Sequence, residues 1–550
     1  MKTLICAINT KYVHSSLAPW CLKAAITKYE PDVECEVLEL TINEQKNVIL
    51  SKIMEKEFDI IGFSTYVWNI EIVLALCKEI KKARTSRIVL GGPEVSYNAH
   101  EILEKYPVVD YIISGEGERP FADLCGDKPL ENIGGLCYRN GDKIIIKEPY
   151  VSNENPPSPY TEDYFTSLNG RIAYIETSRG CPYRCAFCLS GRCGGVRLFD
   201  VEEAKKNILL LATSGAKTIK FIDRTFNADR KRAKELFAFI IDNYGKEIPH
   251  NTCFHFEIEG DILDEKTISL LSKAECGAIQ MEIGLQSFNE QTLISINRKP
   301  QTQRICENVK KLIALGNIHI HIDLIAGLPY ENYESFANSF NRALELEPHM
   351  LQFGFLKLLH GSDLKENMSD YCECLSTPPY EVISTKWLSK KELEKMHTTE
   401  DFFDRFYNSG RFTRTARYLN KNTENPFKIY TELGEFVKNN EKERSLDSLS
   451  LLVYEYLCRL DSIDADLLRD YMAIDRLASN RMGTLPEFLK IHSSKIKQIL
   501  AELDKDENTR RKFGVKRAIT LLKSENSAIY VDYDIKNPVT GEYKLSKIVI

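Results

Sequence analysis

Three cysteines fall in one short run, Gly180-Cys181-Pro182-Tyr183-Arg184-Cys185-Ala186-Phe187-Cys188. Thiolates at the spacing Cys-x3-Cys-x2-Cys can converge on one metal centre without help from distant segments. Soft sulfur ligands of this kind suit an iron–sulfur cluster or zinc. A structural zinc wants four ligands in a tetrahedron, and Cys193 follows as a fourth candidate. A [4Fe–4S] cluster held by Cys181, Cys185 and Cys188 alone would leave one iron open to a small chelating molecule.

The elements that must position this run can be read on either side of it. The chain has 550 residues, too many for one hydrophobic core, and about three domains are expected. With 43% hydrophobic and 28% charged residues it is an ordinary globular chain, not a disordered one. The net charge of −6 argues against a protein that coats nucleic acid. Met1-Lys2-Thr3 runs into a strand-like segment, so no secretory leader is expected, and no run of about 18 apolar residues occurs. The expectation is a cytoplasmic protein, without a membrane span, whose thiols serve metal or catalysis rather than disulfides.

Strands at 3–9, 33–40, 59–65, 87–92 and 109–115 alternate with helices at 17–29, 44–57 and 69–83, which predicts a parallel, doubly wound sheet. Asn140-Gly141 predicts a hairpin. A proline-rich linker follows. Strands at 171–178, 218–222, 252–258, 279–285, 319–325 and 350–355, with helices between, predict a partial (β/α)6 barrel of the TIM type, with its chemistry at the carboxyl ends of the strands. The remainder reads as mostly helical, with strands in 528–550, and its charges nearly balance. The division is 1–147, a linker at 148–164, 165–390 and 391–550. The fold class is α/β.

The cysteine run, with aromatic Phe187 before its third thiol, resembles the hallmark of the radical SAM superfamily. Glu282-Ile283-Gly284-Leu285-Gln286-Ser287, then Arg298, then Asp323-Leu324-Ile325-Ala326-Gly327-Leu328-Pro329 resemble the coproporphyrinogen-dehydrogenase-like branch. The resemblance implies that the open iron binds S-adenosylmethionine (SAM), and that reductive cleavage gives a 5′-deoxyadenosyl radical. Phe187, Gln286, Arg298 and Asp323 are then SAM-site residues, with a glutamate from Phe256-Glu257-Ile258-Glu259-Gly260. Motif alignment favours Glu257 and ungapped counting favours Glu259. The family's Gly-Gly-Glu run is missing. Ile222-Asp223-Arg224-Thr225 stands in its place, with Asp223 or Thr225 as the substitute contact.

The doubly wound domain ahead of the barrel resembles the cobalamin (B12)-binding subclass of radical SAM proteins. The carriers are Ser64-Thr65-Tyr66, Gly91-Gly92-Pro93-Glu94 and Ser114-Gly115-Glu116-Gly117-Glu118. The resemblance implies that Ser64, Thr65, Gly91, Gly92, Pro93, Glu94, Gly115, Glu116, Gly117 and Glu118 surround the corrin and its benzimidazole tail. The Asp-x-His-x-x-Gly motif, whose histidine ligates cobalt in other B12 proteins, does not occur, and no cobalt ligand is expected from it. The nearest histidine in the first loop is His14. The alternative is a Rossmann-like domain that binds substrate or a nucleotide. The last region resembles an accessory domain of undefined role.

The expectation is a B12-dependent radical SAM enzyme, a transferase that methylates an unactivated carbon of an unknown substrate. Its cofactors would be a [4Fe–4S] cluster, SAM and cobalamin, and its partner an electron donor such as flavodoxin or ferredoxin. A monomer is expected, with no nucleic-acid partner. The alternatives are a cyclase or rearrangement enzyme with the same cofactors, and a non-catalytic iron–sulfur redox regulator.

Overall fold

The computed structural model describes residues 1–193, 195–481, 484–505 and 518–550. These form two compact units. The first comprises Met1–Lys273, Ile294–Lys299 and Phe355–Ile383, and the second Ala274–Leu293, Pro300–Gly354 and Ser384–Ile550.

The first unit opens with a seven-stranded sheet of β1 (Lys2–Asn9), β2 (Glu34–Thr41), β3 (Ile60–Ser64), β4 (Arg87–Gly91), β5 (Tyr111–Ile113), β6 (Leu136–Asn140) and β7 (Lys143–Ile145). The order is β2-β1-β3-β4-β5-β6-β7. The first five pair in parallel and the last two antiparallel, across the hairpin predicted at Asn140-Gly141. Every residue of β3 is buried, as a strand covered by helices on both faces requires. The order reverses between β1 and β3. A doubly wound sheet opens its ligand crevice at such a switch point, outside the carboxyl ends of the strands.

Part of the proline-rich linker is stitched back onto this sheet. Tyr150 N–H donates to Ser114 O at 2.9 Å, and Glu116 N–H donates to Tyr150 O at 2.8 Å. Gly115 sits there at φ +88°, where a Cβ would lie 2.3 Å from Tyr150 O, so only glycine fits.

The same unit contains β8 (Ala173–Ile175), β9 (Ser178–Arg179), β10 (Arg197–Leu198), β11 (Thr218–Phe221) and β12 (Cys253–Ile258). β8, β11 and β12 lie side by side in parallel. β9 and β10 pair antiparallel and close a hairpin around the cysteine run. Phe221, Phe226 and Phe256 pack ring on ring beneath these strands, with centroids 4.5–5.0 Å apart.

In the second unit β13 (Ile279–Gln286) pairs in parallel with β14 (Ile318–Ala326), with a register shift between Gly284 and Gln286. β15 (Met350–Phe355) lies beside β14. All six strands predicted between 171 and 355 are therefore present. Helices Lys390–Phe403, Thr413–Lys421, Pro426–Asn440, Leu446–Leu457 and Ala465–Ser479 follow. An antiparallel sheet of Ile519–Leu521, Ser527–Lys536 and Tyr543–Val549 ends the chain, its first strand ahead of the predicted segment. Among the described residues no helix is long and apolar enough to cross a membrane.

Candidate cofactor site

The cysteine hairpin is fixed by its backbone and by charge. Ala186 N–H donates to Ile296 O at 2.9 Å, and Leu364 N–H donates to Ala186 O at 2.9 Å. Gly191 packs so closely that a Cβ would meet Tyr183 O at 2.3 Å. At the base of the hairpin, Arg179 on β9 reaches Glu116, Glu118 and Glu176 at 2.7–2.8 Å, and Arg197 on β10 reaches Glu116 at 2.8 Å. Two of the carboxylates predicted to face the corrin, Glu116 and Glu118, thus clamp the cysteine hairpin.

Cys181, Cys185 and Cys188 are free thiols, each half-buried. Cys181 Sγ lies 3.4 Å from Thr225 Oγ1, and Cys188 Sγ accepts from Ser190 N–H at 3.4 Å. Burial pushes the Cys185 thiol up to about 11, against the opposing pull of Arg298. Phe187 is half-buried in the turn between Cys185 and Cys188. The Cys193 side chain lies outside the described residues.

The short segment that carries Arg298 is pinned to the hairpin through Ile296 O. Arg298 Nη2 donates to Glu259 Oε2 at 2.9 Å, and both side chains are nearly buried. The other oxygen of that carboxylate, Oε1, is buried and has no hydrogen-bond partner among the described residues. Asn227 holds the Glu259 backbone in place, accepting from its N–H at 2.9 Å and donating to its carbonyl at 2.8 Å. Glu257 instead lies 3.5 Å from Lys220 Nζ.

Asp223 is fully engaged. It accepts from Thr177 N–H at 2.9 Å, Thr177 Oγ1 at 2.7 Å and Ser178 Oγ at 2.6 Å, fixing the turn that leads into β9. Burial pushes its carboxyl up to about 6 despite these donors. In the second unit, Gln286 ends β13 at φ +69° and is buried. A non-glycine residue in that region is strained, and here the bulge re-aims its side chain. Asp323 lies on β14 with its Oδ1 3.0 Å from His321 Nε2, and Glu282 joins them within 4.8 Å.

A cavity of about 550 Å³ opens at the carboxyl ends of β1, β3, β4 and β5. Its walls include Tyr174, Glu176, Arg179, Ile222 and Arg224, which lie in or just after β8, β9 and β11. Of the residues predicted for the corrin, Ser64, Gly91, Gly92, Gly115, Gly117 and Glu118 line it. Thr65 instead donates from Oγ1 to Gly91 O at 2.8 Å, and the buried Glu94 accepts from the Tyr380 hydroxyl. A Cβ on Gly91 would meet nothing nearer than Ile113 O at 3.8 Å, so the space there is open.

The sequence names His14 in the loop at 9–17 but does not assign that loop to the site; it supplies Asn9, Thr10 and His14 to the wall. The reversal of strand order at β1 and β3 was the signal for it. The ends of Glu39's carboxylate organise this loop. They accept from Asn9 Nδ2 at 3.1 Å, Ser16 N–H at 2.8 Å, Trp20 Nε1 at 2.9 Å and Arg171 at 2.9 and 3.2 Å. Across the loop, Tyr66 and Trp68 stack with centroids 4.3 Å apart and face the same cavity.

The residues present fit the three groups on chemistry. Three free thiols on one clamped hairpin suit a cluster with an open iron. A buried carboxylate with one bare oxygen beside an arginine suits the ammonium or ribose hydroxyls of SAM. A cavity with apolar walls from Phe63, Leu90, Ile113 and Phe121, and hydroxyls from Ser15, Ser16 and Ser64, suits a large amphipathic ring with a planar tail. In the last region, Arg414 of the run 411–418 pairs with the buried Asp475 at 3.0 Å and with Glu542 at 2.8 Å.

Three family descriptions match the chain: the B12 binding domain over residues 3–125, the radical SAM superfamily over 175–343, and a protein family of unknown function, DUF4080, over 371–547. The 2-(S-pantetheinyl)-carbapenam-3-carboxylate methyltransferase of Streptantibioticus cattleyicolor is 26% identical over 341 residues, covering 54% of this chain and 47% of that protein. The anaerobic magnesium-protoporphyrin IX monomethyl ester cyclase of Rubrivivax gelatinosus is 21% identical over 370 residues, covering 63% of this chain and 64% of its own length. The chain thus spans about half of the methyltransferase and under two thirds of the cyclase. The solved structure of OxsB, a cobalamin-dependent SAM radical enzyme with aqua-cobalamin and SAM bound, shares the fold with a TM-score of 0.60 at 14% identity, over 93% of this chain and 81% of its own.

Proposed function

The chain joins a B12-binding domain, a radical SAM domain and a DUF4080 domain, and from that premise we propose that it is a cobalamin-dependent radical SAM methyltransferase acting on an unactivated carbon. The observation that carries the reading is the shared chamber. Loops of the B12-binding sheet and the ends of β8 and β11 wall a single cavity, and Arg179, at the base of the cysteine hairpin, is part of that wall.

When bound, the cluster supplies an electron and an open iron for SAM, and the corrin supplies a reversible methyl acceptor. The chain's own residues do the holding. Cys181, Cys185 and Cys188 ligate the cluster, and the Arg179–Arg197–Glu116 clamp keeps their hairpin closed. Arg298 is assigned to the SAM carboxylate on the resemblance, a group that the guanidinium fork suits. Glu259, with its bare Oε1, is assigned to SAM in preference to Glu257. Gln286 and Asp323 are assigned to SAM on the resemblance of their strands, and Asp223 positions the turn into β9. Gly91 would leave room for the corrin, Gly92 lets the chain pass close to Thr65, where a Cβ would lie 2.4 Å from Thr65 O, and Phe63, Leu90 and Phe121 would give the ring an apolar wall. An outside electron donor and a soluble, cytoplasmic setting complete the reading.

Anaerobic reconstitution with SAM, cobalamin and a reductant separates the alternatives. A methyltransferase forms S-adenosylhomocysteine only when cobalamin is present, and 5′-deoxyadenosine as well. A cyclase forms 5′-deoxyadenosine without S-adenosylhomocysteine. A regulator forms neither, and that outcome would retire the enzyme.

A further inference from the structure

His14 stands on the wall of the chamber, in a loop held unusually firmly for an exposed turn. Its carbonyl accepts from Asn9 Nδ2 at 3.2 Å and Arg171 Nη1 at 3.4 Å. On either side, Ile172 N–H donates to Val13 O at 2.9 Å, and Ser15 Oγ donates to Ile172 O at 2.7 Å. The imidazole itself is held by one nitrogen: Nδ1 lies 2.7 Å from the hydroxyl of Tyr174 on β8. The other nitrogen, Nε2, has no hydrogen bond among the described residues.

A histidine anchored through one ring nitrogen, with the other left bare, is built as a metal ligand is built. The partner on the far nitrogen fixes ring orientation and tautomer, and the near nitrogen keeps its lone pair. Here Nδ1–H would donate to the Tyr174 oxygen, leaving the lone pair of Nε2 available on a residue that lines the chamber.

Resting on the cobalamin reading above, we infer that His14 Nε2 is an axial ligand to cobalt, oriented by Tyr174 of the radical SAM domain. The residues that would flag such a histidine in sequence are absent: Tyr12 and Leu17 occupy the outer positions where Asp-x-His-x-x-Gly has its aspartate and glycine. The orienting group comes instead from a strand 160 positions further along the chain. One consequence is structural. The cobalt ligand is steadied by the domain that holds the cluster, not by its own.

The test is spectroscopic and needs no substrate. The full chain is loaded with hydroxocobalamin and reduced to the cobalt(II) state, with the cluster kept in its diamagnetic oxidised form. Electron paramagnetic resonance is then recorded on protein grown with natural histidine and with 15N-histidine. The cobalt lines should each split into triplets, and the triplets should become doublets on labelling. His14→Ala should lose the labelled splitting, and added imidazole should restore a triplet to it. Cobalamin taken up with no nitrogen splitting, or with a triplet that survives labelling because it comes from the benzimidazole tail, would overturn the assignment. Failure of the unsubstituted chain to take up cobalamin at all would overturn the cobalamin reading, and the assignment with it.

Discussion

The cysteine hairpin and the loop that follows β1 are fixed by different means. The hairpin closes on itself. β9 pairs with β10, the backbone bonds through Ala186 set its depth, and the arginine–glutamate clamp seals its base. The β1 loop makes few bonds of its own. It is shaped by one carboxylate, Glu39, that gathers Asn9, Ser16, Trp20 and Arg171. A ligand set concentrated in a hairpin keeps its geometry through local closure. A lone ligand in an open loop needs partners brought in by the rest of the fold.

The largest effect is expected at the thiols. Replacing Cys181, Cys185 or Cys188 by alanine should reduce bound iron and 5′-deoxyadenosine to background, while cobalamin uptake persists. Iron analysis and absorbance titration check this, and loss of both cofactors together would mean that the two sites do not stand apart.

The next effect in size is at Glu39. Its side chain and that of Arg171 are only 6% and 8% exposed. Removing one partner of such a pair costs about 3–5 kcal/mol, because the other charge is left buried. Glu39→Ala should lower the unfolding temperature markedly and weaken cobalamin uptake. Thermal unfolding that matches the parent would show that the loop holds itself.

A smaller and cleaner separation comes from Gly91→Val. The position is free of backbone strain and opens on the chamber. Cobalamin affinity should fall about tenfold, or about 1.4 kcal/mol. Iron content and unfolding temperature should stay close to the parent's. A parallel loss of iron would erase the distinction between the two regions.

The mildest effect lies outside both loops and calibrates them. Glu331 is fully buried in the second unit and accepts from Ser287 Oγ at 2.5 Å, and burial pushes its carboxyl up to about 7. The folded chain then holds a proton that the unfolded chain has released, so stability falls as pH rises from about 4.5 through about 7. Glu331→Gln carries no such proton. Its unfolding temperature relative to the parent should rise across that window, as scanning calorimetry at several pH values would show. A difference that does not change with pH would mean that the carboxyl is ionised throughout.

Much of this was legible in the sequence, and for a physical reason. Cys181, Cys185 and Cys188 are neighbours because a hairpin needs only local closure, so spacing alone finds them. The strands were legible because β3 and its neighbours are buried on both faces and read as apolar runs. The β1 loop was not legible, because Arg171 and Tyr174 join it from more than 130 positions away. The roles of Glu116 and Glu118 were hidden for the same reason: their arginine partners lie on β9 and β10. Asp223 reads as a cofactor contact by position, yet its oxygens are occupied by Thr177 and Ser178, which no spacing rule reveals.

The central claim is that one chamber serves two cofactors so that a methyl group can pass to a substrate carbon. The most direct measurement supplies the reconstituted chain with SAM carrying a deuterated methyl group, together with the small-molecule fraction of the cells that make it. A metabolite heavier by one CD3 in place of hydrogen should form, only when cobalamin is present, with S-adenosylhomocysteine and 5′-deoxyadenosine released alongside. SAM consumed to 5′-deoxyadenosine alone, with a metabolite changed but carrying no deuterated methyl group, would contradict it.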